Sequence, residues 1–385
     1  MPRSRGLIEE QANFPQASVV LKRLPKRRRE LLRAWDAADE YLLNHLNEQQ
    51  LPVAGSRVAI VNDSFGALAV TLAEYAPTAI SDSWLSQAAT RMNLQENGLA
   101  DSAVTLLSAL DELQGEFDLV LIKVPKTLAL LEHQLIELAP HLTPTSQLIF
   151  AGMVKLLPSS VWKLIERLVG PTTTSLAKKK AKLIIAQPDG SLKMPENPYP
   201  HCYTLEGSDY RICNHANVFS RDSLDIGTRF FLQHLPQMPE AKEIVDLGCG
   251  NGVVGLIAAE KNPQASIHFV DESFMAVASA QQNFETAFGD SRSAQFSVGD
   301  GLEEFAVESV DLILCNPPFH QQQAVGDQIA MSMFRESKRV LRRGGELWVI
   351  GNRHLGYHTT LKRLFGRVQN IESNEKFVIL RVLQS

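Results

Sequence analysis

Long apolar runs are missing from this chain. No segment is apolar for the length that crosses a bilayer, and the first residues mix arginine, glutamate and glutamine with scattered apolar positions, unlike a secretory signal. A soluble, cytoplasmic protein is expected. Cysteine is scarce: Cys202, Cys213, Cys249 and Cys315 are the only four in 385 residues, with no Cys-x-x-Cys pair and no mixed Cys/His cluster. That spacing suggests neither a zinc site nor a disulfide framework, and no metal is expected. Excess positive charge is absent too. The 38 Lys and Arg face 43 Asp and Glu, a net charge of −5, which argues against coating nucleic acid by bulk electrostatics. No Ser, His and Asp set competes for nucleophilic chemistry.

What is present divides in two. With 44% hydrophobic residues the chain can bury two cores of ordinary size. A polar, proline-rich stretch, Gln187-Pro188-Asp189-Gly190 through Pro195, Pro198 and Pro200, reads as a linker, so domains 1–194 and 195–385 are expected. The acidity is uneven. Residues 1–200 hold 21 basic and 21 acidic side chains, against 17 and 22 downstream. The first half also carries two basic clusters, Lys26-Arg27-Arg28-Arg29 and Lys178-Lys179-Lys180 with Lys182, which suit phosphate contacts or equally a solvated surface.

Downstream, apolar runs at 243–247, 266–270, 310–315 and 347–351 alternate with helix-like segments 274–284 and 329–341, the pattern of a parallel sheet. A helical 361–365 and a closing strand at 376–382 predict a hairpin at the sheet edge. The first half repeats these landmarks in order. Val58 to Val61 with Asn62-Asp63-Ser64-Phe65-Gly66 echoes Ile244-Val245 with Asp246-Leu247-Gly248-Cys249-Gly250, and Ser83 through Asn93 matches Ser273 through Asn283 at equal length. The α/β fold is therefore read as two tandem Rossmann-like domains from an internal duplication.

The sharpest motif is Asp246-Leu247-Gly248-Cys249-Gly250-Asn251-Gly252, between an apolar strand and a helix-like run. Gly248, Gly250 and Gly252 let the backbone turn and approach a ligand, and Asp246 suits the amino group of S-adenosylmethionine (SAM). Asp271, one strand later, can hold two ribose hydroxyls, or cap a helix. Asp300 can accept from an adenine amine, or form a turn. Together they describe an adenosine-bearing cofactor at the carboxyl ends of parallel strands. Phe219 and Thr228 lie in the polar segment before this loop, which is expected to cover the methionine end.

Asn316-Pro317-Pro318-Phe319 follows the strand at 310–315 and separates a methyltransferase from a generic Rossmann domain. The Asn316 carboxamide oxygen and the Pro317 carbonyl can both accept from an exocyclic NH2, with Pro318 stiffening the turn and Phe319 stacking on the base. In the first half the same place holds Lys123-Val124-Pro125-Lys126, which cannot accept from an amine. Lys123 and Lys126 are expected to meet a phosphate there, making this half a degenerate, RNA-holding copy, or a structural cap.

These motifs, with Asn217-Val218-Phe219-Ser220-Arg221 and Leu224-Asp225-Ile226-Gly227, resemble bacterial ribosomal RNA guanine-N2 methyltransferases over nearly the whole chain. The resemblance is greatest to the subgroup acting on large-subunit (23S) rRNA, in Ala34-Trp35-Asp36-Ala37-Ala38-Asp39-Glu40-Tyr41 and Val270-Asp271-Glu272-Ser273. It implies SAM as cofactor, S-adenosylhomocysteine as product, 23S rRNA or an assembling large subunit as partner, a monomeric enzyme, and transfer to N2 of one guanine. The Asn-Pro-Pro-aromatic motif by itself leaves open 16S rRNA, adenine-N6 in DNA and a glutamine amide as targets. A ribosome-assembly factor without turnover is the reading from another class.

Overall fold

The computed structural model describes residues 9–26, 30, 32–318 and 323–385, of which 323–327 by their backbone alone. The chain divides into two compact units, Met1–Pro198 and Tyr199–Ser385, a few residues downstream of the expected boundary. Each is built on the same plan.

In unit 1 a hairpin of β1 (Gln11–Asn13) and β2 (Ser18–Val20) precedes α1 (Ala37–Glu48), then β3 (Val58–Val61), α2 (Ala67–Thr71), β4 (Thr78–Ser81), α3 (Trp84–Glu96) and β5 (Thr105–Ser108). The second part runs β6 (Phe117–Lys123), α4 (Leu128–Leu138), β7 (Leu142–Met153), α5 (Ser159–Leu168), β8 (Thr172–Thr174) and β9 (Ala181–Ala186). The sheet order is β5-β4-β3-β6-β7-β9-β8, parallel up to β7 and antiparallel through β9 and β8. β3 is buried at all four positions, as a central strand covered on both faces must be.

Unit 2 repeats this with a hairpin of β10 (His201–Thr204) and β11 (Arg211–Asn214), then α6 (Ile226–Leu232), β12 (Glu243–Leu247), α7 (Val253–Lys261), β13 (Ser266–Asp271), α8 (Phe274–Phe288) and β14 (Ala294–Val298). It closes with β15 (Val310–Cys315), α9 (Gln323–Val340), β16 (Leu341–Asn352), α10 (Tyr357–Phe365), β17 (Gln369–Ser373) and β18 (Phe377–Leu383), in the sheet order β14-β13-β12-β15-β16-β18-β17. The edge hairpin is present as β17 and β18. Two layers of core flank this sheet, one including Phe231, Phe269 and Phe284, the other Phe334, Val349 and Leu361. Among the described residues no helix is long and apolar enough to cross a membrane.

The duplication extends to single hydrogen bonds. Asn93 accepts from the Lys22 N–H and donates to the Phe65 carbonyl; Asn283 accepts from the Cys213 N–H and donates to the Asn251 carbonyl. Ser83 and Ser273 both cap their helices by accepting from the N–H three residues on. Asp118 and Asp311 both accept from the backbone at the start of the preceding central strand. A buried amide that ties hairpin to loop is costly to lose, which accounts for its identical use twice.

Two sequence expectations are corrected. The loop echo is out by two residues: Val61 pairs with Ile80 and Ile122 as Leu247 pairs with Val270 and Cys315, so Asn62 corresponds to Gly248 and Gly66 to Gly252. Both Gly66 and Gly252 hold left-handed backbone at the start of the next helix. The second correction concerns cysteine. Cys202 and Cys213 form a disulfide because they lie directly opposite each other across the β10–β11 hairpin, a pairing that their separation of 11 residues does not disclose. Cys249 and Cys315 remain free and buried.

Candidate active site

The site of unit 2 forms where β12, β13, β14 and β15 end. The loop after β12 is held to β13 by the Gly248 and Cys249 N–H groups, which both donate to the Val270 carbonyl at 2.8 and 3.0 Å. The Asp271 carboxylate then accepts from Gly250 N–H at 3.0 Å and from Ser273 N–H at 3.0 Å, so one side chain joins the glycine loop to the start of α8. Gly248 turns with a φ of +73°, a conformation that strains other residues. At Gly250 a side chain would meet nothing within 4 Å, so this part of the loop opens onto free space. Gly252 serves packing instead: a Cβ there would stand 2.7 Å from Ala280 on α8.

Asp246 is buried at 3% exposure and accepts from Gly255 N–H in the first turn of α7 at 2.8 Å. It braces strand against helix under the loop, a support that its expected role toward an amino group did not anticipate. Burial pushes its carboxyl up to about 8, and burial also raises that of Asp271. Asp300 follows β14, and burial together with the charges of Glu336 and Glu303 pushes it up to about 6. Phe219 is 54% exposed.

Asn316 follows β15 directly. Its Nδ2 donates to Thr228 Oγ1 at 3.2 Å, while its Oδ1 is buried and meets no partner among the described residues. Pro317 is buried and Pro318 exposed. Phe319 lies outside the described residues, as do Arg27, Arg28 and Arg29. A buried acceptor without an internal donor is costly unless a group from outside the chain meets it. Sequence reasoning missed the Asn316 to Thr228 contact, since the two lie 88 positions apart.

In unit 1 the corresponding site is closed. Asn62, standing where Gly248 stands, keeps the left-handed backbone with a φ of +63° but sends its amide to the Lys123 carbonyl and to Gln134. Asp63 caps α2 by accepting from the N–H groups of Ala67, Leu68 and Ala69. The Lys123 ammonium is taken by the carboxylates of Asp36, at 3.0 Å, and Asp39. This corrects the expectation that Lys123 meets a phosphate: its charge is satisfied inside the unit. Burial opposes that charge, yet the two carboxylates outweigh it and hold the ammonium above its usual range.

The other basic candidates differ from Lys123. Lys26, Lys126, Lys178, Lys179 and Lys180 are exposed. Lys179 pairs with Glu40 at 2.7 Å, and Lys178 reaches Glu48 at 3.7 Å and sits over the Tyr41 ring. Such surface pairs are worth little and can be exchanged for a phosphate. Among the described residues no group of His, Cys, Asp and Glu side chains is placed to hold a metal ion.

With a glycine loop at the strand ends beside an amide oxygen that has no partner among the described residues, unit 2 falls by its family match in the class of SAM-dependent methyltransferases. Residues 209–381 match the methyltransferase small domain and residues 9–190 the RLMG N-terminal domain. The chain is 52% identical over 368 residues to the ribosomal RNA large subunit methyltransferase G of Ectopseudomonas mendocina, covering 95% of this chain and 98% of that one. It is 49% identical over 375 residues to the protein of the same name from Streptomyces coelicolor, covering 96% and 99%. Among solved structures, a T. thermophilus 16S rRNA N2 methyltransferase (RsmC), in complex with AdoMet and guanosine, shares the fold with a TM-score of 0.75 over 97% of both chains, at 20% identity. The chain belongs to the ribosomal RNA large subunit methyltransferase G family.

Proposed function

We propose that this chain transfers the methyl group of SAM to the exocyclic N2 of a guanine in 23S rRNA, giving N2-methylguanosine and S-adenosylhomocysteine. The observation that carries the reading is the buried Oδ1 of Asn316, which has no partner among the described residues, beside the open glycine loop. The names of the relatives, on which the chain is collinear, support the large-subunit substrate.

SAM supplies an electrophilic methyl group on a sulfonium sulfur. The loop residues fit such a cofactor: Gly250 leaves room at the backbone, Asp271 would offer its carboxylate to ribose hydroxyls, and Asp300 would accept from the adenine amine. Asn316 Oδ1 and the Pro317 carbonyl accept from the guanine NH2. An aryl amine holds its lone pair in the ring, and two acceptors that favour a pyramidal nitrogen stabilise the transition state more than the ground state. Held in this way, the amine would direct its lone pair to the methyl group that SAM supplies, and transfer would leave S-adenosylhomocysteine. The resulting ammonium is acidic enough to lose its proton to water, so no strong base is needed. A base inside an A-form helix hides this amine, so the target is unstacked first, at a cost of a few kcal/mol. Unit 1 holds the flanking RNA through exposed lysines such as Lys126, Lys178, Lys179 and Lys180. The enzyme acts as a monomer in the cytoplasm.

The test is transfer of radiolabelled methyl from SAM to unmodified 23S and 16S rRNA, free and in their subunits, with nucleoside analysis. Label in N2-methylguanosine of 23S rRNA alone is the expected result. Label in 16S rRNA, or only in a peptide glutamine, would move the substrate.

Cofactor binding is expected to depend on pH. Burial pushes the Asp246 carboxyl up to about 8, which favours its protonated form at neutral pH before SAM binds. A bound positive charge favours the ionised form, so binding releases a proton at pH 7 and tightens as the pH rises from about 6 to 8. The linkage to stability has the opposite sign: a carboxyl raised from its ordinary value near 4 to about 8 binds its proton more tightly in the folded state, so its contribution is full below about pH 4 and falls as the pH rises from about 4 to about 8. Calorimetry in two buffers of different ionisation heat measures the proton. No release at pH 7 would contradict this account of Asp246.

A further inference from the structure

We propose that Thr228 and Asp225 fix which end of the Asn316 carboxamide faces the substrate, and so act as positioning residues for methyl transfer. The two ends of a carboxamide have the same shape but opposite hydrogen-bonding sense. An amine target requires the oxygen to face it. Nothing on the Asn316 side chain itself makes that choice.

Its neighbours make it. The Asp225 carboxylate caps α6 and accepts from Thr228 N–H at 2.9 Å. The Thr228 hydroxyl lies 3.4 Å from the same Asp225 oxygen, long for a hydroxyl hydrogen bond, but an ionised carboxylate offers only acceptors, so the hydroxyl proton points to it. The hydroxyl lone pairs are thereby left to Asn316, whose Nδ2 stands 3.2 Å away. Only the NH2 end can serve them, and Oδ1 is left buried and free for the target. The turn is built tightly around this carboxylate: a Cβ on Gly227 would stand 3.0 Å from Asp225 Oδ2 and 2.9 Å from the Phe377 ring.

Unit 1 supplies an internal control. Asp36 caps α1 as Asp225 caps α6, Asp39 occupies the place of Thr228 in the first helical turn, and Lys123 that of Asn316. The fold brings the same two positions into contact in both copies. Where chemistry is lost they form an ion pair; where an acceptor must be presented they form a directed relay from carboxylate to hydroxyl to amide.

The inference rests on the amine-methylation reading above. Its test compares Thr228→Val, Thr228→Ser and Asp225→Asn for SAM affinity by calorimetry and for single-turnover rate on saturating rRNA. Thr228→Val is expected to slow methyl transfer about tenfold, the worth of one directed hydrogen bond, with SAM affinity within about twofold. Thr228→Ser, which keeps the hydroxyl, is expected to retain the rate. Asp225→Asn, whose amide can turn an N–H donor toward the hydroxyl and release its proton toward Asn316, is expected to fall between wild type and Thr228→Val, and a wild-type rate there would remove Asp225 from the relay. A wild-type rate in Thr228→Val, equal defects in the Val and Ser variants, or weakened SAM binding at an unchanged rate would each overturn the proposal, the last assigning Thr228 to the cofactor.

If wild-type protein methylates no RNA, the parent reading fails first. The relay is then read directly from the Asn316 side-chain NH2 resonances, assigned by their loss in Asn316→Asp. Slow hydrogen exchange at these protons in wild type and fast exchange in Thr228→Val supports the relay; equal exchange sinks it.

Discussion

Replacing Asn316 by alanine is expected to lower methyl transfer by about 10²–10³-fold while leaving SAM affinity within a few-fold. The reasoning follows from what the side chain does in the fold. It is half-buried at the end of β15, and among the described residues its side-chain bond is to the Thr228 hydroxyl, which keeps Asp225 as a partner. Its Oδ1 has no partner among the described residues to lose. The cost therefore falls on the transition state, where the nitrogen becomes pyramidal and needs a directed acceptor. Asn316→Asp keeps an acceptor and should retain more of the rate than alanine. Equal rates in wild type and Asn316→Ala would remove the basis for the proposed chemistry and favour a ribosome-assembly role without turnover. A parallel fall in SAM affinity would assign Asn316 to the cofactor instead.

The second large effect concerns stability. Lys123→Met should destabilise unit 1 by about 3–5 kcal/mol, because it leaves carboxylates without their partner in a place water scarcely reaches. Asp39 is the more sensitive of the two, with a side-chain exposure of 7% against 52% for Asp36. For a unit of this size the melting temperature falls by on the order of 10 °C. Adding Asp39→Leu to Lys123→Met should recover most of the loss, since replacing both members of a buried pair by apolar groups is often neutral. Thermal unfolding followed by calorimetry gives both values. The same variant separates the present account from a phosphate contact. A lysine that met RNA would lower affinity and reduce the salt dependence of binding by about one unit, with stability nearly unchanged. A normal melting temperature together with that reduced salt slope would restore Lys123 to the RNA surface.

The two halves show where local sequence information ends. The four central strands of unit 2, the glycine turn and the Asn-Pro-Pro motif are each specified by neighbours within a few residues, through apolar runs, backbone freedom and ring constraint. So is the repeated order of landmarks that shows the duplication. The equal spacing from Ser83 to Asn93 and from Ser273 to Asn283 is also local, and it encodes a shared cap and a shared buried amide. Register was less legible. The first-half loop resembles the second at two different offsets, and only the pairing of Val61 with Ile80 and Ile122 selects one.

The fate of side chains was decided by tertiary structure alone. Lys123 reads as a free cation until α1 sets Asp36 and Asp39 beside it, 87 and 84 positions away in the chain. Cys202 and Cys213 read as isolated until a hairpin register puts them face to face. Asn316 reads as an amide of undefined orientation until α6 brings Thr228 to it. The sequence by itself determined the two-fold plan, the class of cofactor loop and the amine-binding turn, because these depend on periodicity and backbone chemistry between near neighbours. Tertiary structure decided which charges are satisfied, which thiols pair and which end of the amide is presented, because each depends on groups that meet only when distant helices pack against the ends of the sheet.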